Sequence, residues 1–195
     1  FIDMMNREGN VNKAYRYIKQ KEDEQRILEQ KPLLEISGKF KTILIDPAWR
    51  YDTNVIGRTI PEYATQEIED VEIIAKYADD NCHLYLWSTN AFLHKALHLI
   101  ESWGFEYKTI ITWVKPSIGI GTYFRNSTEH MLFAVKGQLS TRVKNIPTHF
   151  DAERGEHSEK PEESYQIIER ASYPPYLELN ARKERSGWKC VGLVT

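Results

Sequence analysis

The chain has 195 residues, 41% hydrophobic and 28% charged, which excludes a wholly disordered chain and provides the core of one domain of ordinary size with a small appendage. Its 26 basic and 28 acidic residues leave a formal net charge of −2, so no global positive field draws it onto nucleic acid, and such binding needs a local patch or a partner. No apolar run approaches the roughly 18 residues of a helical membrane span, which excludes that kind of membrane role, and Cys82 and Cys190 form neither a CxxC pair nor a secreted disulfide scaffold, so a reducing, cytoplasmic setting is expected, nucleoid-associated in a prokaryote.

The chain opens at Phe1 with neither a basic n-region nor a cleavage site, so upstream sequence is expected to be missing. Residues 11–30, "VNKAYRYIKQKEDEQRILEQ", carry Ala14, Tyr17, Ile18, Ile27 and Leu28 at helical spacing around a mixed-charge run. They read as a solvated helical arm over 1–32, with a partner-binding or nucleic-acid-binding arm the lesser alternative. Pro32 stops it, and the main domain is expected over 33–195.

Gly38 marks a turn before a strand at 41–45. A polar loop with Gly57 and Pro61 leads to an expected helix from Gln66 to Tyr77, then to the strand "HLYLW". Ser88, Thr89 and Asn90 offer caps for the helix "AFLHKALHLIESW", which Gly104 ends. "FEYKTIITWV" and "TEHMLFAV" are strands separated by the loop 116–127, and residues 137–157 read as irregular. A helix starts at Lys160-Pro161 and runs to Ala171, with the proline suited to a first turn. "YLELNA" and "WKCVGLV" close the chain as a hairpin-like pair. The alternation predicts an α/β fold: a mixed, mostly parallel sheet with an antiparallel edge hairpin and helices on both faces.

The stretch most suggestive of chemistry is "KTILIDPAWRYD". Ligands of open α/β sheets bind beyond the carboxyl ends of the strands, where Asp46 follows Ile43, Leu44 and Ile45. Pro47 keeps Asp46 out of the helical region, so the carboxylate and the Pro47 carbonyl can project together beside the Trp49 ring. Two acceptors and a flat ring suit a heterocycle bearing an amino group. A strand-end Asp-Pro turn with Trp49 in the core carries equal weight from spacing alone.

"DPAW" resembles the DPPW motif of the MT-A70 family of S-adenosylmethionine-dependent adenine methyltransferases. "LYLWSTN", "WGFEYKTIITWVKP", "GTYFRNSTEHMLFAVKG", "HSEKPEESYQIIERAS" and "YLELNARKERSGW" follow in the family's order, so the resemblance covers residues 38 to about 192. It implies a Rossmann-like class I methyltransferase fold, S-adenosylmethionine as cofactor and the exocyclic amine of adenine in nucleic acid as acceptor. Asp46, Pro47, Ala48 and Trp49 are the implied catalytic set, with Asp46 an orienting acceptor rather than a general base. Asp46, Ser158, Lys160, Glu178, Asn180, Arg182 and Leu193 are the implied donor-binding residues. Trp49, Tyr51, Trp113, Lys115 and Glu129 would frame the acceptor.

Arg58, Arg142 and Lys144, with Arg50, Arg154 and Phe150, are candidate nucleic-acid contacts in the loops 50–65 and 137–157, solvated loop charge being the equal alternative for any one of them. The sequence departs from the family pattern at Ala48, in place of a second proline, at Asn180, in place of an aromatic, and at Leu193, in place of a polar residue. No GxGxxG precedes the motif, so residues 157–193 must build the donor pocket. "GIGTYF" lacks the third glycine of a dinucleotide fingerprint, and His94 and His98 lack the Glu of HExxH, so no metal is expected.

DNA is favoured over RNA because the chain is compact. The rivals are an RNA adenosine or cytosine-N4 methyltransferase and a non-catalytic nucleic-acid-binding or scaffold subunit. A homodimeric or heterodimeric partner is left open as a further source of nucleic-acid contacts.

Overall fold

The computed structural model describes residues 36–47, 49, 74, 76–119, 123–155 and 159–192. By contacts the chain divides into two units, Phe1–Leu34 with Ala48–Ile68, and Glu35–Pro47 with Glu69–Thr195. Of the first unit only Trp49 is described, so the fold below is that of the second. The expected arm at 11–30, the loop 50–65 and most of the helix at 66–77 lie outside the described residues; Ile74, Lys76 and Tyr77, at the end of that helix, are helical.

The described strands are β1 (Phe40–Ile45), β2 (Ala78–Ser88), β3 (Glu106–Val114), β4 (Thr128–Lys136), β5 (His149–Asp151), β6 (Tyr176–Ala181) and β7 (Trp188–Gly192). They form one seven-stranded sheet in the order β5-β3-β4-β2-β1-β6-β7. Within it β4 runs antiparallel to both β2 and β3, while the other neighbouring pairs are parallel. The two described α-helices are α1 (Leu93–Ser102), entered through a 3-10 turn at Asn90–Phe92, and α2 (Glu162–Ala171).

Period-2 alternation explains the layering. Leu44, Tyr85, Trp87, Ile111, Trp113, Met131 and Phe133 share one face and pack with Tyr165, Ile167 and Ile168 of α2. The intervening Ile43, Ile45, Leu84, Leu86, Leu132 and Ala134 point the other way and are buried as well. Burial on both faces gives the central strands their near-continuous apolar runs. Helix α1 packs against β2, β3 and β4 through its buried Ala96 and Ile100, outside the α2 cluster, and therefore covers this second face.

Gly104 ends α1 as expected. At φ +77 it lets its own N–H reach the Glu101 carbonyl at 3.0 Å and the Phe105 N–H reach the Ile100 carbonyl at 3.1 Å, the two bonds of a Schellman motif. The expected caps at the other end act differently. Thr89 stands at the N-cap without a side-chain capping bond, Ser88 Oγ donates to the Thr89 carbonyl, and Asn90 bonds Thr128 and His130 across to β4.

The mixed α/β sheet has its antiparallel pairing on both sides of β4, at a different place from the one expected. The hairpin-like pair is β3–β4, whereas β6 and β7 are parallel, with Tyr176 opposite Trp188 and Leu179 opposite Val191. Side-chain chemistry explains the reversal: Trp188 stacks on Tyr176 with centroids 4.8 Å apart and donates through Nε1 to Glu169 at 2.8 Å. A hairpin would carry Trp188 to the far end of β6. The segment 182–187 must instead run back along β6, within the reach of about 3.3–3.6 Å per residue, and Gly187 at φ +81 turns it. The stretch 137–157, read as irregular, contains the short strand β5.

Candidate active site

The same alternation that builds the core assembles a site at the carboxyl end of β1. Asp46 has the parity of Leu44, and Glu178 is the register partner of Leu44 on β6, so both face α2. Glu129, the second residue of β4, lies directly opposite Trp113 of β3, and Trp87, the last but one of β2, is on the same face. Lys160 stands two residues before α2, and Lys115 just after β3.

These side chains form a chain of alternating charge. Lys160 Nζ lies 3.0 Å from Asp46 Oδ1 and 3.2 Å from Glu129 Oε2, while Lys115 Nζ lies 2.5 Å from Glu129 Oε1. All four side chains are at most 20% exposed, a degree of burial that charges tolerate only when paired. Aromatic rings support the cations: Lys115 Nζ is 4.5 Å from the Trp113 centroid, Lys160 Nζ is 5.1 Å from that of Trp87, and the two indoles meet edge to face at 6.4 Å.

The partners are unevenly shared, and this sets the electrostatics. Burial pushes the Glu129 carboxyl up, but Lys160 and Lys115 outweigh it and hold it below the usual carboxylate range. Burial disfavours the Lys160 cation, yet Asp46 and Glu129 overcome this and raise it. Asp46 keeps only a share of one lysine. Its burial outweighs the lowering by Lys160 and Arg182, so its carboxyl sits above the ordinary value. Asp46 is therefore the least compensated charge, and with Lys160 on Oδ1 its second oxygen can accept from another donor.

The expected site residues sort into groups. Asp46, Lys160, Glu129 and Lys115 come together directly. Arg182 is exposed just past β6 and acts on Asp46 electrostatically. Asn180 Nδ2 donates to the Asp46 backbone carbonyl at 3.4 Å. Glu178, 6% exposed, is engaged beneath the site: Tyr165 OH donates to its Oε1 at 2.8 Å and Cys190 Sγ faces its Oε2 at 3.9 Å. Trp113 belongs to the core, with Nε1 donating to the Ala152 carbonyl at 2.8 Å and Lys115 over its ring.

The structure does not bring Arg142 to Asp46. Arg142 binds the carbonyls of Ala171 and Glu169 at the far end of α2, about 15 Å along the helix from Lys160 at 1.5 Å per residue. Lys144 is exposed in the same loop, Arg154 donates to the Ser117 carbonyl, and Phe150 packs at the edge of the core. Trp49 is half-buried and belongs to the other unit. Ala48, Arg50, Tyr51, Arg58, Ser158 and Leu193 lie outside the described residues.

Three contributors escaped the sequence reading. Trp87 cushions Lys160, and its position at the end of "HLYLW" was the available signal. Arg185 clamps Glu162 in the first turn of α2 through bonds of 2.7 and 2.6 Å and lies 3.6 Å from the Tyr165 ring centroid; Lys183 pairs with Glu159 just before Lys160. Neither ion pair has a local sequence signal, because each joins segments that meet only in the fold.

The family model of MT-A70 matches residues 40–194. The type II methyltransferase M.MunI of Mycoplasma sp is 32% identical over 184 residues, covering 80% of this chain and 77% of that protein. A probable N(6)-adenosine-methyltransferase MT-A70-like of Oryza sativa subsp. japonica is 30% identical, and the N(6)-adenosine-methyltransferase catalytic subunit METTL3 of Homo sapiens 27%, over 82% and 71% of this chain. The chain spans only 23% and 25% of those two proteins.

Proposed function

The chain belongs to the MT-A70 family, and from that premise we propose that it is an S-adenosylmethionine-dependent methyltransferase acting on the N6 amine of adenine in nucleic acid, with DNA favoured. The observation that carries the reading is the undercompensated Asp46 carboxylate at the strand end, held by Lys160 within a buried chain of charge. The similarity to a type II methyltransferase, at 32% identity, supports DNA.

The residues present fit the donor. A buried carboxylate that one lysine leaves undercompensated favours a further positive charge nearby, and Lys160 beside the start of α2 is a cation for a carboxylate. When bound, S-adenosylmethionine supplies a methyl group on a positively charged sulfur as the electrophile. Lys160 would hold its carboxylate, with Arg182 and the strand ends of β6 and β7 beside it.

The rest is positioning. The adenine amine is a poor nucleophile because its lone pair is delocalised into the ring. Hydrogen bonds from its N–H groups to the Asp46 carboxylate and the Pro47 carbonyl favour the pyramidal form and aim its lone pair. Such alignment can contribute about 7–11 kcal/mol. Asp46 orients, and the amine proton leaves to solvent after transfer. A base taken from a duplex must be flipped out of its stack before its amine can reach Asp46. Free Cys82 and Cys190 fit a cytoplasmic setting, and a second subunit would supply further nucleic-acid contacts.

The test is incubation with methyl-labelled donor and DNA or RNA, digestion to nucleosides and identification of the product by mass. N6-methyldeoxyadenosine is expected, and Asp46→Ala should lower its rate at least about a hundredfold. N4-methylcytosine, or unchanged activity in folded Asp46→Ala protein, overturns the reading; N6-methyladenosine in RNA alone overturns the preference for DNA.

A further inference from the structure

Strand β6 does not run straight to its end. Its register against β7 passes from Leu179 opposite Val191 to Ala181 opposite Gly192, so Asn180 is an extra, bulged residue. Asn180 has φ 61 and is the only non-glycine with positive φ among the described residues. Asparagine is one of the few residues that tolerates this left-handed region. Its neighbour across the strands is specialised too: Gly192 has φ +153, and a Cβ there would lie 2.5 Å from Ala181 N and 2.7 Å from the Asn180 carbonyl carbon. Only glycine lets β7 close against the bulge.

The bulge re-aims one side chain. The β1–β6 ladder ends at Ile45 opposite Leu179, and beyond it the Asn180 carboxamide crosses to the Asp46 carbonyl at 3.4 Å. A bond of that length stabilises little by itself, but it acts on a consequential atom. The Asp46 carbonyl lies in the peptide plane shared with Pro47. Holding that plane restrains ψ of Asp46, and with it the direction in which Pro47 leaves the strand end beside the Asp46 carboxylate.

We propose that Asn180 is a positioning residue for methyl transfer: a left-handed asparagine in the β6 bulge whose carboxamide holds the Asp46 carbonyl so that both acceptors face the amine. It serves this purpose in place of the donor-binding role implied by the family resemblance. The inference rests on the methyltransferase reading above and adds to it the device that sets the geometry of the acceptor pair.

Glycine and aspartate both tolerate the left-handed conformation, and neither side chain donates a hydrogen bond, so Asn180→Gly and Asn180→Asp separate the bond from the bulge. Donor affinity would be measured by calorimetry with S-adenosylmethionine, kcat and KM by methyl transfer to DNA, and folding by thermal melting. Both variants should melt within about 2–4 °C of the wild type and bind donor within about twofold, while kcat falls about five- to tenfold as the acceptor pair loses its alignment. Donor affinity weakened tenfold with kcat unchanged at saturation would make Asn180 a donor ligand and overturn the proposal, as would variants kinetically identical to the wild type. A wild-type protein that methylates no nucleic acid would instead sink the methyltransferase reading itself, and this proposal with it.

Discussion

Asp46 is the stronger acceptor when ionised, with both oxygens free of a proton, and its burial opposes ionisation. The consequence is a pH dependence of definite sign. Because burial raises its pKa above that of a solvated aspartate, methyl transfer should be lost on acidification at a higher pH than an exposed aspartate would allow. Removing the cation that holds it down, by Lys160→Met, should move this acid limb still higher, as read from pH profiles of kcat at saturating donor. An unmoved limb would show that another group controls the rate. Asp46 was legible because a pre-proline aspartate after an apolar strand is a local signal. Its tie to Asn180, 134 positions away, was not.

Helix α2 places Lys160, and it is secured at both ends. Glu162 and Glu163 in its first turn and Arg170 in its last complement the helix dipole, and Arg185 grips Glu162. At the far end Ser172 Oγ lies 2.7 Å from both His83 Nδ1 and Tyr85 OH, while His83 Nε2 lies 2.9 Å from the Leu139 carbonyl. A carbonyl can only accept, so the neutral ring carries its proton on Nε2 and Nδ1 accepts from Ser172. Burial lowers the His83 pKa, in keeping with that form. Ser172→Ala strands both partners in the core and should cost about 1–3 kcal/mol in urea unfolding. Gly192→Ala forces a Cβ to within 2.5 Å of Ala181 N and should cost a similar amount, about 1–3 kcal/mol, by the same measurement. These elements were legible as helix and strands from periodicity, but the bulge and the parallel β6–β7 pairing were not, since register depends on what lies alongside.

Over the whole molecule a net charge of −2 gives no long-range pull on a polyanion. Nucleic-acid affinity of the chain alone should therefore fall with salt at a log–log slope of about −3 or shallower, equivalent to three or four phosphates. A slope near −8 would reveal a basic surface large enough to make a helper subunit unnecessary. At this scale the sequence determined the alternation of strand and helix, the two-sided burial of the sheet and the placing of Asp46 at a strand end, because propensity, period and proline restriction act over a few residues. The tertiary structure alone decided that Asp46 has one lysine to share while Glu129 has two, that Arg142 sits at the opposite end of α2 from Lys160, and that Asn180 turns toward β1. Each of these depends on segments brought together by the sheet, where burial and charge sharing arise from distances that no local signal encodes.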